Sequence, residues 1–88
     1  MSDWYVYILH CADGTFYTGT TTDVQRRVYE HNHNKQAAAY TRARRPVDVI
    51  HVERLADRSA AYRREAEIKA LSRQQKQQLA AGVRRGKL

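Results

Sequence analysis

The sequence predicts an α+β domain, with a small three-stranded, mostly antiparallel sheet flanked by helices in the order β-β-α-β-α-α. The first observation behind this prediction is an apolar run at residues 3–11, followed at once by the turn signal Asp13-Gly14. The second is a pair of stretches with helical spacing on either side of a third strand-like segment. An 88-residue chain has room for one core. We therefore expect a single domain over residues 1–82 and a basic tail over residues 83–88.

The first two strands are predicted to form a hairpin. Residues 3–11 are rich in β-branched and aromatic side chains and are apolar on both faces, which is typical of a central strand. We expect a three-residue turn that ends at Gly14 in the left-handed conformation. That turn places Tyr7 opposite Gly19 and brings Tyr17 to the same face as Tyr7. Gly19 has no side chain and would leave room there for a helix or a ligand.

Capping signals and spacing predict the middle of the chain. Thr22 and Gln25 fit a capping box, which predicts a helix over residues 23–32. Residues 33–46 show no clear period and are expected to form a basic loop. Residues 47–53 alternate in polarity and predict the third strand.

The C-terminal third is predicted to hold two helices. Ser59 is a candidate cap for a helix that runs to about Leu71. A second helix is expected over residues 73–81. Gly82 and Gly86 then mark a frayed tail.

Positive charge is concentrated toward the C-terminus. The chain carries 16 Lys+Arg and 9 Asp+Glu, a formal charge of +7. Residues 63–88 hold eight basic and two acidic side chains, a net of +6, whereas residues 1–62 hold eight basic and seven acidic ones, a net of +1. Because Lys and Arg contacts to phosphate release counterions, this distribution favours a nucleic-acid partner over a solvated basic tail.

Composition also limits the compartment that we expect. The chain has one cysteine, Cys11, and a lone thiol indicates a reducing environment. No apolar run approaches the roughly 20 residues of a membrane helix, and the N-terminal residues do not resemble a signal peptide. We expect a cytoplasmic protein with no membrane partner.

The first predicted helix carries polar residues on its buried side. Val24 and Val28 mark the apolar stripe, and Arg27 and His31 fall on that same stripe. A buried arginine is costly unless it meets an anion, which favours a binding site. The alternative is an arginine that extends to the rim and a histidine that caps the helix C-terminus.

A carboxylate on the next helix shows a weaker form of this pattern. Glu65 lies toward the apolar stripe formed by Ala61 and Ile68. Glu67 points roughly 200° away and is expected to face solvent. A surface salt bridge is the commoner role for a residue such as Glu65, so the pattern leaves both roles open.

Several of these residues together resemble the GIY-YIG nucleases. The segments Tyr5-Val6-Tyr7 and Tyr17-Thr18-Gly19 look like the two motifs that name the family. Arg27 and His31 follow at the family's helix positions, and Glu65 looks like its metal-binding glutamate. The resemblance covers nearly the whole chain, and it extends to the small stand-alone bacterial members.

Three departures from the family pattern accompany this resemblance. Tyr5 and Val6 replace the glycine and isoleucine of the first motif, and Thr18 is the middle residue of the second. Some members also use a late asparagine, and this chain has none after Asn34. The resemblance therefore implies a thinner metal shell.

The resemblance implies metal-dependent hydrolysis of nucleic-acid phosphodiester bonds with low sequence specificity. Glu65 would hold Mg²⁺, or another divalent cation such as Mn²⁺, and Arg27 would donate to phosphate oxygens. Tyr7 would be the general base toward water, and Tyr17 would orient the water or bind phosphate. His31 would hydrogen-bond the tyrosine that accepts the proton. The metal and Arg27 are expected to lower the pKa of that tyrosine, with activity that rises through alkaline pH.

The partner expected from this resemblance is nucleic acid, with DNA favoured over RNA. A second protein could supply target specificity, because the chain has no room for a recognition domain. The alternatives are a non-catalytic nucleic-acid-binding module on the same fold and a protein-interaction domain with an acidic partner. Contacts to nucleic acid are expected from six basic side chains: Lys35, Arg42, Arg44, Arg45, Lys69 and Arg73.

Overall fold

Three antiparallel strands form the centre of the molecule, in the order β2-β1-β3. The structure is a computed structural model that describes residues 3–35 and 37–81. Within these residues the α+β class and the predicted order are confirmed, with one additional short helix. The elements are β1 (Trp4–Cys11), β2 (Phe16–Thr21), α1 (Val24–His33), α2 (Ala39–Arg42), β3 (Val47–Leu55), α3 (Arg58–Lys69) and α4 (Arg73–Ala81).

The β1–β2 hairpin confirms the predicted turn and register. Gly14 has a φ of +88°, and its N–H donates to the Cys11 carbonyl at 2.8 Å. Tyr7 lies opposite Gly19, and Tyr7 and Tyr17 pack on the same face. The expectation of open space over Gly19 is wrong. A Cβ there would lie 2.5 Å from the Tyr7 hydroxyl oxygen, because the Tyr7 phenol itself fills that space.

Two helix starts differ from their predictions. Helix α1 begins after Asp23, whose carboxylate accepts a first-turn N–H at 3.1 Å, so Thr22 is not the cap. Helix α3 begins after Asp57, whose carboxylate accepts a first-turn N–H at 2.8 Å, two residues before Ser59. Aspartate combines cap geometry with a negative charge at the positive end of the helix.

The remaining boundaries lie close to the predicted ones. Helix α3 ends at Lys69, and α4 begins and ends where the sequence predicts. The segment predicted as an irregular loop contains α2. The predicted tail, with Gly82 and Gly86, lies outside the described residues.

The two faces of the sheet carry different kinds of core. Helices α3 and α4 cover one face, where the buried residues are Val6, Ile8, Ala61 and Ile68. The other face adjoins α1 and buries a cluster of Tyr7, Leu9, Cys11 and Val47. In the described part of the chain, no helix is long and apolar enough to cross a membrane. The second cluster includes Tyr7 and adjoins buried polar side chains, and the candidate site lies on this face of the sheet.

Candidate active site

Tyr7 is the most deeply buried tyrosine of the molecule. Its side chain is 1% exposed, and its hydroxyl lies 2.9 Å from Nε2 of His31. His31 itself is fully buried at the end of the α1 stripe. The hydrogen bond predicted between His31 and the tyrosine base is therefore present at Tyr7. That Tyr7 accepts the proton stays a prediction.

A threonine on α2 continues the hydrogen bonding beyond His31. Nδ1 of His31 lies 2.7 Å from Oγ1 of Thr41, which is also fully buried. Oγ1 of Thr41 lies 3.0 Å from the Ala38 carbonyl oxygen. The sequence did not indicate a role for Thr41, because a single threonine in a segment without periodicity carries no signal of burial.

Burial raises the pKa of Tyr7 and lowers the pKa of His31, and both shifts favour the neutral form of the side chain. The pKa of Tyr7 rises to about 12, chiefly because burial disfavours the phenolate and also because Tyr17 lies nearby. The neighbouring Arg27 guanidinium favours the phenolate, as expected, but it does not outweigh burial. The predicted lowering was for Arg27 and a metal ion acting together, and it stays a prediction. Burial and the Arg27 charge lower the pKa of His31 to about 4.

Arg27 is held beside this pair by a carboxylate of its own helix. Its Nη1 lies 3.0 Å from Oε1 of Glu30, and its side chain is half-buried. Burial disfavours the charged guanidinium, but hydrogen bonds to Glu30 and Tyr7 outweigh that cost and raise the pKa of Arg27. Arg27 therefore stays cationic at the site. The i,i+3 spacing of Glu30 could have identified this pairing from sequence.

Tyr17 forms the outer wall of the site. It is half-buried, and its ring contacts His31 edge-on at 5.3 Å between centroids. On another side it stacks on Tyr40 at 5.9 Å, and the Arg44 guanidinium lies 3.8 Å over the Tyr40 ring. Tyr17 is thus closer to solvent than Tyr7 and is placed to meet a ligand at the surface.

Glu65 contributes a negative charge to the same site. Its side chain is 21% exposed, and Oε2 lies 3.0 Å from Nζ of Lys69. Its carboxylate also acts on Tyr7, whose pKa it raises. Glu65 therefore forms a surface salt bridge with its charge near Tyr7, and its functional role stays a prediction. Glu67 faces solvent as predicted and pairs with Arg64 at 3.0 Å.

Any metal at this site would depend on very few protein ligands. Among residues 3–35 and 37–81, no group of three or more His, Cys, Asp or Glu side chains could hold a metal ion. Glu65 and a bound phosphate would have to supply the charge. A single carboxylate with water and phosphate oxygens suits Mg²⁺, which keeps much of its hydration shell.

Two of the six predicted nucleic-acid contacts make strong internal bonds. Arg45 donates from Nε to the His31 carbonyl at 2.5 Å and from Nη2 to the Asn34 carbonyl at 2.5 Å, and so closes the C-terminus of α1. Arg73 donates to the Gly14 carbonyl at 2.7 Å and so ties α4 to the hairpin turn.

The other four predicted contacts differ in how their charges are paired. Lys35 and Arg42 are exposed, and Arg42 donates to the Lys35 carbonyl at 3.0 Å. Arg44 pairs with Asp13 at 2.9 Å, and Lys69 pairs with Glu65. Four members of the predicted set have no carboxylate partner in the described ion pairs: Lys35, Arg42, Arg45 and Arg73.

Acid is expected to destabilise the fold through His31. Because burial lowers its pKa from 6.5 to about 4, the neutral ring stabilises the protein above pH 6.5, and this stability is lost as pH falls to about 4. The loss amounts to up to about 3 kcal/mol. Urea unfolding of the wild type and of His31→Gln between pH 4 and 7 measures it. The exposed His33→Gln is the control, and an equal acid slope in all three proteins would contradict this role.

Fold and site together define an α+β domain, with two tyrosines on one sheet face and an arginine, a histidine and a carboxylate from two helices. The family model described as the GIY-YIG catalytic domain matches residues 3–78. The chain belongs to this nuclease family.

Relatives and solved structures agree with that membership. A UPF0213 protein of Natronomonas pharaonis is 55% identical over 80 residues, which cover 91% of this chain and 93% of that protein. The solution NMR structure of a UPF0213 protein from Bacillus halodurans is 44% identical, with a TM-score of 0.57, and covers 90% of this chain and 83% of that one. A solution structure of an E. faecalis protein is 42% identical, with a TM-score of 0.64 and coverages of 96% and 88%.

Proposed function

We propose that the protein hydrolyses nucleic-acid phosphodiester bonds as a metal-dependent endonuclease of low sequence specificity. The observation that carries this proposal is the hydrogen bond between the Tyr7 hydroxyl and a neutral, buried His31. A tyrosine beside a neutral imidazole has an acceptor for its own proton. It can therefore take a proton from water without first becoming a free phenolate.

The proton path follows this hydrogen bond. Water gives a proton to the Tyr7 oxygen while Tyr7 gives its phenolic proton to Nε2 of His31. The water oxygen forms a bond to phosphorus, the bond from phosphorus to the leaving oxygen breaks, and that oxygen takes a proton from solvent. The imidazolium of His31 then gives its proton back to Tyr7 while Tyr7 releases one to solvent, which restores the neutral ring. Because the proton passes to His31, the rate does not need the alkaline rise expected of an isolated tyrosine base. It should instead require only that His31 begins neutral.

In this proposal, the negative charge that develops on the phosphate is stabilised by Arg27 and by the cation that Glu65 would hold. Arg27 donates to the non-bridging phosphate oxygens, where negative charge develops. Its pairing with Glu30 holds the guanidinium in place before substrate arrives. Glu65 would hold a divalent cation, with Mg²⁺ the ion that fits, and such an ion polarises a phosphoryl oxygen. Tyr17, at the outer wall, would orient the water or contact the phosphate.

The proposed substrate is nucleic acid that the protein binds through its phosphates, with DNA favoured over RNA. Lys35 and Arg42 are exposed and would contact the backbone. Phosphates carry no sequence information, so these contacts provide affinity without selectivity. A second protein would then supply the choice of target.

A cleavage assay with paired glutamate variants tests this proposal. Purified protein is incubated with labelled single-stranded, duplex and flapped DNA and with RNA, in Mg²⁺ or in EDTA. Glu65→Gln and Arg27→Ala are expected to lower the cleavage rate at least about 100-fold. Glu67→Gln, two residues away on the same helix and facing solvent, should cleave at the wild-type rate.

The same assay identifies the alternative function. Binding of nucleic acid without cleavage, with the same affinity in Glu65→Gln and Arg27→Ala, would overturn the proposed enzymatic function. It would instead support a non-catalytic nucleic-acid-binding module. Binding that neither salt nor competitor nucleic acid weakens would point to a protein partner.

A further inference from the structure

The buried hydrogen-bond chain on the α1 face extends past the proposed catalytic pair to α2. It runs from the Tyr7 hydroxyl through both nitrogens of His31 to Oγ1 of Thr41 and ends at the Ala38 carbonyl. The three side chains are each at most 1% exposed. We infer that Thr41 is a positioning residue that fixes His31 as its Nδ1–H tautomer, which leaves Nε2 free to accept the proton of Tyr7. This inference rests on the proposed function.

The tautomer follows from counting donors along the chain. If Thr41 donates to the Ala38 carbonyl, its oxygen must accept from Nδ1–H of His31, and Nε2 then accepts from the Tyr7 hydroxyl. Each of the three protons has an acceptor in that arrangement. Buried polar groups in folded proteins are overwhelmingly paired, which favours it.

The opposite direction leaves a proton without a partner. If Thr41 donated to Nδ1, then Nε2–H would donate to the Tyr7 oxygen. The Tyr7 hydroxyl proton would then need another acceptor, and His31 is the group that can accept it among the described hydrogen-bond partners of this hydroxyl. The neighbouring Arg27 offers only donors. The Ala38 carbonyl already accepts two backbone N–H groups, so it would remain paired without the threonine.

The tautomer determines whether His31 can take part in the reaction. With Nδ1–H fixed, Nε2 presents a lone pair to Tyr7 and can receive its proton. With Nε2–H, the ring presents a hydrogen to Tyr7, and the tyrosine would have to lose its proton to solvent. Thr41 does not touch the reacting atoms in either case, and it acts only through the orientation and protonation of His31.

Several charged and titratable groups surround His31 and act together with Thr41. Arg27 and Glu30 of α1 interact electrostatically with its ring, and so does Arg45, which lies two residues before β3. The rings of Tyr7 and Tyr17 contact it from β1 and β2. The arginines oppose a positive charge on His31 and Glu30 favours it. None of these groups faces Nδ1 in place of Thr41, whose oxygen lies 2.7 Å from that atom.

Nitrogen NMR of the full-length protein tests the tautomer without any substrate. With ¹⁵N-labelled histidine at pH 7, the wild type should show a protonated Nδ1 and an unprotonated Nε2 for His31, assigned against His31→Gln. Thr41→Ser keeps the hydroxyl and should give the same pattern. Thr41→Val removes the hydroxyl at nearly equal volume and should shift the population toward Nε2–H. An Nε2–H tautomer in the wild type would overturn the inference whatever the variants do.

Cleavage rates against pH give the second readout. The wild type and Thr41→Ser should show a plateau from neutral to alkaline pH. Thr41→Val should be at least about tenfold slower at pH 7, with a rate that rises about tenfold per pH unit because Tyr7 then loses its proton to solvent. A uniformly lower plateau in Thr41→Val would assign Thr41 a structural role and overturn the inference. Absence of cleavage in the wild type would count against the proposed function, while the NMR result would still decide the tautomer.

Discussion

Replacing Tyr7 with phenylalanine is expected to lower the single-turnover cleavage rate by about 10²–10⁴-fold, the range for loss of a general base. The ring still fills the space opposite Gly19, so the variant should fold and bind nucleic acid. Its cost in stability is about 1–3 kcal/mol, because Nε2 of His31 loses its buried partner. Single-turnover kinetics with saturating enzyme, together with the Kd for an uncleavable duplex, separate chemistry from binding.

The other tyrosines provide the controls for this experiment. Tyr17→Phe should lower the rate less than Tyr7→Phe, because Tyr17 lies at the outer wall. Tyr29→Phe changes a 60% exposed side chain on α1 and should leave the rate unaltered. A larger loss in Tyr17→Phe than in Tyr7→Phe would transfer the role of base to the outer tyrosine.

Adding one methyl group at Gly19 is expected to destabilise the fold and to slow cleavage. In Gly19→Ala the new Cβ would lie 2.5 Å from the Tyr7 hydroxyl oxygen and 2.7 Å from its Cζ. Tyr7 is buried and cannot move aside without breaking its bond to His31. We expect a loss of about 1–3 kcal/mol in the free energy of unfolding, as for overpacking in a core. Cleavage should fall at least about tenfold, since misplaced catalytic groups are costly.

Gly14 is a matched control for Gly19, because it also lies in the hairpin. Its Cβ would meet nothing within 4 Å, but its φ of +88° is unfavourable for alanine. Gly14→Ala should therefore reduce stability by about 1–2 kcal/mol without changing the cleavage rate of the folded protein. Urea unfolding and single-turnover kinetics measure both effects. If both alanine variants alter the cleavage rate equally, the contact between Gly19 and Tyr7 does not matter to the site.

The sequence predicted those features that depend on local chemistry and period. Turn length and the left-handed Gly14 determine the hairpin register, and the register alone brings Tyr7 and Tyr17 to one face. Helical spacing likewise indicated that Arg27 and His31 point toward the sheet. The caps were less certain, since aspartate, threonine and serine compete within two residues and only the final geometry selects one.

Features that depend on contacts distant in sequence could not be predicted. Thr41 lies ten residues from His31 in a segment without periodicity, and its burial follows from how α2 packs. Arg45 looked like a phosphate contact, yet it meets the carbonyls at the end of α1. The effect of burial on the pKa of Tyr7 could not be predicted either, because desolvation depends on the whole packed face, whereas the charge of Arg27 was visible in the sequence.

The narrowness of the sheet has a consequence for how this domain can assemble. Glu65 belongs to a helix on one face, yet its carboxylate acts on Tyr7, which faces the other side. Helix α3 packs against β2, and β2 is an edge strand, so groups from both faces can approach each other at that margin. A further strand beside β2 would add about 4.8 Å of backbone there. A strand added along β3 would lie on the far side of β1 from Tyr17 and Gly19, whereas a strand added along β2 would lie directly beside them.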